Sequence, residues 1–145
     1  MQDLPHVYKV TADSTPEGAK LSAIGIPDLQ SSAPAEYGGP GDQWSPETLL
    51  TGAVADCFIL SFKAIARASG FEWLEVKCEV EAVLDRVARR TLFTEIRISP
   101  SLTISNTDQS EKAEKLLHKA EAACLITNSL TAEIKMYIDI LVRAD

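Results

Sequence analysis

Apolar and polar residues alternate along three stretches of the chain, and this alternation predicts its main strands. Between residues 74 and 84, apolar side chains occupy every second position and charged side chains mostly fill the positions between them. That pattern is typical of an antiparallel strand with one buried face. The stretches 91–104 and 133–142 repeat it, and DRVARR at 85–90 is the predicted turn of a hairpin between the first two.

A further hairpin is predicted near the N-terminus. The short alternating runs HVYKVTA and AKLSAIGI flank the segment DSTPEG, which has the composition of a turn. Pro16 presets a turn φ angle, and Gly18 is the residue expected to take a positive φ. The dense Gly and Pro of SSAPAEYGGPGDQW then predict a loop that leads into a helix.

The stretch WSPETLLTGAVADCFILSF at 44–62 predicts the first and longer of two helices. Ser45 can cap it, Pro46 fits the first helical position, and Gly70 is the predicted stop. Apolar residues lie on both of its faces: Leu50, Val54, Phe58 and Ile65 on one, and Leu49, Ala53, Leu60 and Ala64 on the other. Such a helix is expected to be buried on most sides, either centrally or beneath a partner subunit.

The second helix is predicted over roughly 108–123, with Thr107 or Asp108 as its cap. Its apolar stripe comprises Ala113, Leu116, Leu117, Ala120 and Cys124. The element order is therefore two strands, helix, two strands, helix, strand. Hairpin-paired strands with helices packed on one face predict an α+β fold.

Length and charge narrow the possible partners. The 145 residues fit one domain spanning residues 1–145, and a net charge of −7 disfavours nucleic acid and anionic membranes as partners. No uninterrupted apolar run reaches the ~18 residues of a membrane span. The N-terminal MQDLPHVYKV lacks the pattern of a signal peptide, which predicts a cytoplasmic protein with reduced thiols.

The three cysteines are the residues with the most distinctive chemistry. An odd number is unsuited to a framework of structural disulfides. Cys78 falls on the inward face of a strand and is interpreted as core. Cys57 and Cys124 each fall on the buried face of a helix, where their side chains can meet, but spacing by itself does not decide between such a contact and two inert core thiols, which it favours. Cys57 lies several turns from its helix N-terminus, so an external cation is expected to be needed to activate it.

Other chemistries find less support in the sequence. His6 and His118 have no metal-ligand spacing, so no metal is predicted. GGPG lacks the Lys-Ser/Thr of a phosphate loop, and no cofactor is predicted. Ser61 and Ser129 have no histidine and acid placed to make either a nucleophile.

The segments GGPGDQWSPETLLTGAVADCF and AEAACLITNSL closely resemble the OsmC/Ohr family of thiol-dependent peroxidases. The resemblance covers nearly the whole chain. It rests on a Gly-rich loop, a Pro-Glu helix entry, a Cys-Phe pair ten positions after Glu47, and a second cysteine before an Asn-Ser-Leu stretch. It implies an intertwined α+β homodimer in which two central helices pack against antiparallel sheets, with active sites at the subunit interface.

The resemblance also assigns roles. Cys57 is the expected peroxidatic thiol, which an organic hydroperoxide, and also hydrogen peroxide, would oxidise to a sulfenic acid. Cys124 is the expected resolving thiol, and a dithiol reductant such as a lipoylated protein would reduce the resulting disulfide. Val54, Phe58 and Ile126 are expected to form an apolar substrate pocket.

Glu47 matches the acid that holds the catalytic arginine of the family over the thiol. Ten helical residues separate Glu47 from Cys57, about 15 Å at ~1.5 Å per residue, so Glu47 is expected to serve the site of the other subunit. No arginine precedes Arg67, which departs from the well-studied branches. Arg67 and Arg97 are the arginines considered for the missing role, while Lys9, Lys20 and Lys63 lack the guanidinium fork.

The sequence thus predicts a cytoplasmic, dimeric peroxidase acting in oxidative-stress defence. Two alternatives stay open on the same scaffold, because a fold does not determine its function. One is a non-catalytic protein that binds a small apolar ligand, with its thiols merely packed. The other is a redox sensor whose disulfide changes partner binding.

Overall fold

Three short strands form the sheet of the N-terminal part of the chain. A computed structural model describes residues 2–144. Its first strands are β1 (Thr11–Thr15), β2 (Gly18–Ala23) and β3 (Ile26–Ser31), all paired antiparallel in that order. The predicted N-terminal hairpin is confirmed, although its first strand begins only at Thr11. The strand β3 was not predicted, because IPDLQS contains a proline and is mostly exposed.

Gly18 has a different role from the one predicted. Its φ is not in the positive region that other glycines of the chain occupy. A Cβ at this position would instead lie 2.1 Å from the carbonyl oxygen of Ser31. Gly18 is therefore required by the close approach of β3 to β2, because any side chain would collide with the Ser31 backbone.

The long helix α1 (Pro46–Ala68) begins at the predicted residue. The Ser45 hydroxyl accepts a hydrogen bond from the Thr48 N–H at 3.1 Å, and the Thr48 hydroxyl accepts one from the Ser45 N–H at 2.8 Å. This reciprocal arrangement is a capping box in which threonine replaces the usual Glu or Gln. Gly70, at φ +63°, follows the end of the helix as predicted.

Two further helices follow in the C-terminal half: α2 (Ser110–Ala123) and the single turn α3 (Leu125–Asn128). The predicted caps of α2 are wrong. A 3-10 turn over Thr107–Gln109 precedes α2, and the Asn106 side chain caps that turn by accepting from the Asp108 N–H at 2.9 Å. The predicted apolar stripe of α2 is fully buried.

The second sheet is built on a long hairpin of β4 (Glu75–Val87) and β5 (Arg90–Ile104). The predicted turn is confirmed and consists of Ala88 and Arg89, whose φ angles are +51° and +69°. Positive φ at both central residues is the type I′ geometry that suits a two-residue hairpin loop. The sequence lacks the Asn-Gly that usually supplies it.

The predicted last strand is split into β6 (Glu133–Met136) and β7 (Asp139–Val142), which both pair with β5. The expectation of purely antiparallel sheets is wrong here, because both strands run parallel to β5. The chain reaches them through α2 and α3, and a connection of that length allows a parallel return. The interruption lies opposite Pro100 of β5, which has no N–H to donate.

The core of this part of the chain lies between the sheet and the helices. Its buried side chains are Val54, Phe58, Phe62 and Ala66 of α1, Ile96, Ile98, Leu102 and Ile104 of β5, and Ala113, Leu116, Leu117 and Ala120 of α2. The spacing of four residues along α1 buries a single stripe. Leu60, on another side of the helix, is 57% exposed.

The predicted α+β class is confirmed by these mixed helices and sheets. The chain divides into two compact units, one ending at Leu50 and the other beginning at Thr51. The single domain over residues 1–145 stays a prediction, and its end residues Met1 and Asp145 lie outside the described residues.

Helix α1 is long and apolar enough, by length and composition alone, to cross a membrane. The sequence expectation considered uninterrupted apolar runs and not mean hydropathy, so the absence of a membrane partner stays a prediction. The finding is weak evidence for a membrane location, because core helices of water-soluble proteins meet the same criteria.

The β4–β5 turn generates a prediction about stability. Replacing Ala88 with Asn and Arg89 with Gly should raise the free energy of unfolding by about 1 kcal/mol, since L-residues other than Asn pay roughly 1–2 kcal/mol in the left-handed region. Urea denaturation at matched protein concentration measures the change. Ala88→Val should lower stability instead, and equal stabilities for all three proteins would contradict the type I′ assignment.

Candidate thiol site

Cys57 lies on α1 beside the stripe that packs into the core. Its neighbours Val54 and Phe58 are fully buried, whereas Cys57 itself is only half-buried. It carries a free thiol, as do Cys78 and Cys124. Cys57 therefore lies at the boundary between the core and the surface of its unit, where a thiol remains within reach of a reagent.

Cys124 occupies the break between α2 and α3. Its backbone is extended, with φ −68° and ψ 104°, so it both ends α2 and precedes α3. Its N–H donates to the Glu121 carbonyl at 3.1 Å, and its carbonyl accepts from the Asn128 N–H at 3.0 Å. The side chain is fully buried, as the sequence predicts for the end of the apolar stripe.

The polar residues after Cys124 fix the geometry of this break. The Thr127 hydroxyl donates to the Cys124 carbonyl at 3.1 Å, the Asn128 amide to the Ala122 carbonyl at 3.2 Å, and the Ser129 hydroxyl to the Leu125 carbonyl at 2.8 Å. Backbone carbonyls at the end of a helix have no intrahelical partner, and side-chain donors commonly bind them. The Thr-Asn-Ser run thus holds the α2–α3 junction in one conformation.

The junction places hydrogen-bond donors at the sulfur of Cys57. Burial raises the pKa of Cys57, but hydrogen bonds outweigh that effect and leave the pKa below its ordinary value. The strongest comes from the Ile126 N–H, followed by the Cys124 side chain, the Ser61 side chain and the Leu125 N–H. Donors of this kind stabilise the thiolate, which is the nucleophilic form.

The expectation that an external cation activates Cys57 stays a prediction, but hydrogen bonds from the described residues already lower its pKa. The leading influences on its pKa are burial and hydrogen bonds, and none is a charged side chain. The donors come from an element more than 60 residues away in sequence, so helical spacing around Cys57 gave no sign of them. The one donor that lies close to Cys57 in sequence is Ser61, four residues further along α1. Its position can be seen in the sequence, but the sequence suggested no role for it at Cys57.

Cys78 differs from the other two cysteines. It is half-buried on β4 and packs against the core, which agrees with its interpretation as a core residue. Burial, with a smaller effect from the nearby Cys124, raises the pKa of Cys78 to about 12. The Cys78 thiol is consequently protonated and unreactive at neutral pH.

The other residues considered for the site are less closely grouped. Ile126 is half-buried and provides the N–H described above. Val54 and Phe58 have no exposed surface and belong to the core. Leu125, which no sequence pattern singled out, follows Cys124 directly and is 65% exposed. The substrate pocket of Val54, Phe58 and Ile126 stays a prediction.

Glu47 lies in the first turn of α1, within the N-terminal unit, where the helix dipole favours a carboxylate. It helps to line a cavity of about 370 Å³ together with Ala19, Pro34, Tyr37 and Pro46. The catalytic role of Glu47 stays a prediction.

Arg97 does not serve Cys57 of its own chain. It pairs with Glu95, which also accepts from Lys135 at 2.8 Å. Side chains alternate along β5, so these three charged residues lie on the face opposite the buried Ile96 and Ile98. Arg67 is exposed in the last turn of α1.

Within residues 2–144, no group of three or more His, Cys, Asp or Glu residues is placed to hold a metal ion.

The pKa shifts predict which thiol reacts first. Because the pKa of Cys57 is lowered, its iodoacetamide reaction should reach half of its maximal rate below the ordinary cysteine value of about 8.5. Cys78 should remain unmodified at pH 9, since its pKa is about 12. Peptide mass spectrometry across pH 5–10 separates the sites. Equal reactivity of Cys57 and Cys78 would contradict the described geometry.

Comparison with known proteins agrees with this architecture. The family model described as OsmC-like protein matches residues 39–139. YmaD of Bacillus subtilis, an uncharacterised protein, is 28% identical over 115 residues, which is 77% of each chain.

Solved structures share the fold at low sequence identity. An OsmC-like protein of unknown function from Vibrio cholerae has a TM-score of 0.78 at 19% identity, covering 91% of this chain and 99% of its own. An organic hydroperoxide resistance protein from Legionella pneumophila has a TM-score of 0.73 at 21% identity, covering 95% and 100%. The match to the family model and the shared fold together show that the chain belongs to the OsmC-like protein family.

Proposed function

We propose that this protein is a thiol-dependent peroxidase that reduces organic hydroperoxides, and also hydrogen peroxide, through Cys57 and Cys124. The observation that supports this most is that the buried Cys124 side chain lies among the groups that lower the pKa of Cys57. A thiolate with a second thiol in contact is the arrangement that two-step peroxide reduction requires. The Legionella pneumophila relative, an organic hydroperoxide resistance protein, supports the substrate class.

The reaction proceeds in three balanced steps. The Cys57 thiolate attacks the distal peroxide oxygen, the O–O bond breaks, and the alkoxide leaves as an alcohol after taking up a proton, so Cys57 becomes a sulfenic acid. The Cys124 thiol then attacks that sulfur and displaces water, which forms the Cys57–Cys124 disulfide. A dithiol reductant, with lipoylated proteins as the proposed class, reduces the disulfide by exchange and is itself oxidised.

The half-buried position of Cys57 suits a bulky apolar substrate. Val54 and Phe58 have no exposed surface, so the 65% exposed Leu125 and the half-buried Ile126 are the apolar residues available to a substrate at Cys57. Contact with such surface favours an alkyl or aryl hydroperoxide, since burying apolar area contributes roughly 25 cal/mol per Å². Ile126 contributes both its side chain and its N–H.

A homodimer is part of the proposal. Helix α1 buries only one stripe within the chain and leaves Leu60 57% exposed on an otherwise apolar helix. Large apolar surfaces of this kind are normally covered in oligomers. Glu47 and Cys57 lie ten residues apart on α1, and a role for Glu47 at the thiol is therefore proposed across the subunit interface. The proposed location is the cytoplasm, where dithiol reductants are available.

The central test is the fate of the thiols after one equivalent of cumene hydroperoxide. Wild-type protein should fall from three free thiols to one and lose about 2 Da as the disulfide forms. Cys57→Ser should lose all reaction. Cys124→Ser should instead gain about 16 Da as a sulfenic acid that dimedone traps. Free-thiol titration and intact-mass spectrometry give both readings.

Cys78→Ser is the matched control and should react like the wild type, because Cys78 has no part in the mechanism. Full activity in Cys57→Ser would end the peroxidase proposal. No thiol loss in the wild type, with apolar compounds raising its melting temperature, would favour the ligand-binding alternative. Disulfide formation without turnover by a dithiol would favour the redox sensor.

A further inference from the structure

Ser61 is a polar residue on α1 that the proposed mechanism has not used. Its hydroxyl oxygen lies 3.9 Å from the sulfur of Cys57. The two residues are four positions apart, which places their side chains on the same face of the helix. Side chains of a helix lean toward its N-terminus, so the Ser61 hydroxyl covers the turn that carries Cys57.

The hydroxyl is not committed elsewhere. Serines inside helices often donate to a backbone carbonyl one turn earlier. Within residues 2–144, the one hydrogen-bond partner of the Ser61 hydroxyl is the Cys57 sulfur. Ser61 is half-buried, so its interaction with sulfur is less weakened by water than a fully exposed contact would be.

The ionisation state of Cys57 determines the direction of this hydrogen bond. With a neutral thiol either group can donate, but a thiolate can only accept, and the hydroxyl must then be the donor. A donor that faces the charged form favours that form. Within residues 2–144, the side chains and N–H groups that lower the pKa of Cys57 are uncharged donors, and the titratable group among them is Cys124 at the α2–α3 junction.

We infer that Ser61 is a further catalytic residue of this site, which donates a hydrogen bond to the Cys57 thiolate and points the sulfur toward the donors of the α2–α3 junction. The catalytic role of Ser61 rests on the proposed function. The contact itself is a property of the folded protein and does not depend on the substrate. Ser61 thereby contributes part of the stabilisation that a cation would otherwise provide.

The test uses full-length Ser61→Ala and Ser61→Thr, with Ser69→Ala as the control. Ser69 is an exposed serine just beyond the end of α1, so its change reports the effect of losing a hydroxyl away from the thiol. Alanine favours helix and should preserve the fold. Threonine retains the hydroxyl, and one of its helical rotamers can place that group as serine does.

The measurement is the rate of Cys57 alkylation by iodoacetamide from pH 5 to 10, followed by peptide mass spectrometry. Ser61→Ala should shift the midpoint upward by about 0.3–1 pH unit, the size expected for the net contribution of one typical hydrogen bond. Thiolate nucleophilicity rises as pKa rises, so the rate at pH 7 should fall only about 2- to 3-fold. Ser61→Thr should restore most of the shift, and Ser69→Ala should leave the midpoint unchanged.

Two outcomes would overturn the inference. One is an unchanged midpoint in Ser61→Ala with wild-type circular dichroism. The other is an equal shift in Ser61→Ala and Ser61→Thr, because loss of packing rather than of the hydroxyl would then be the cause. Alkylation requires no hydroperoxide, so a failure of the peroxidase proposal would appear in the cumene hydroperoxide titration and would leave this result interpretable.

Discussion

The break between α2 and α3 at Cys124 is the constraint on which the thiol site depends. An uninterrupted helix would use its backbone N–H groups internally and would offer none to a neighbouring sulfur. Cys124 is extended at this break, and the N–H groups of Leu125 and Ile126 and the Cys124 side chain are among the groups that lower the pKa of Cys57. Three polar side chains, those of Thr127, Asn128 and Ser129, bind carbonyls on both sides of the break and hold it in place.

This arrangement favours the Cys57 thiolate through groups of the chain itself. Burial alone would make Cys57 a weak nucleophile, as it does for Cys78, whose pKa rises to about 12. The pKa values of the two cysteines differ because hydrogen-bond donors surround the Cys57 sulfur, and not because one cysteine lies on a helix and the other on a strand. Neutral donors fixed by the backbone need no reorganisation when charge develops, which is the property that makes such groups effective at reactive centres.

Much of the fold was predictable because it depends on local patterns. The period-two alternation located β4 and β5, and the serine and proline at 45 and 46 located the start of α1. The parallel direction of β6 and β7 was not predictable, since side-chain alternation is the same for either direction. The interruption between them depends on Pro100, which lies in another strand and is distant in sequence.

The site was predictable only in part, for a similar reason. Cys57 and Cys124 could be singled out from the apolar stripes they occupy, and a contact between them was one of two open interpretations. Two of the donors at Cys57 are the backbone N–H groups of Leu125 and Ile126, a kind of group that no sequence pattern marks. The sequence therefore predicted a cation at Cys57, and it gave no sign of the hydrogen bonds that lower the pKa of this thiol.

The most direct measurement is a titration of the Cys57 thiolate by its absorbance near 240 nm, in Cys78→Ser protein, at 20 mM and 500 mM sodium chloride. Activation by neutral donors predicts a midpoint below the ordinary value of about 8.5 that is nearly the same at both salt concentrations. Activation by a cation on a half-buried site would make the midpoint rise with salt, since charge interactions are screened over about 4–5 Å at the higher concentration and over about 20 Å at the lower. An ordinary midpoint, or one that rises clearly with salt, would contradict the account.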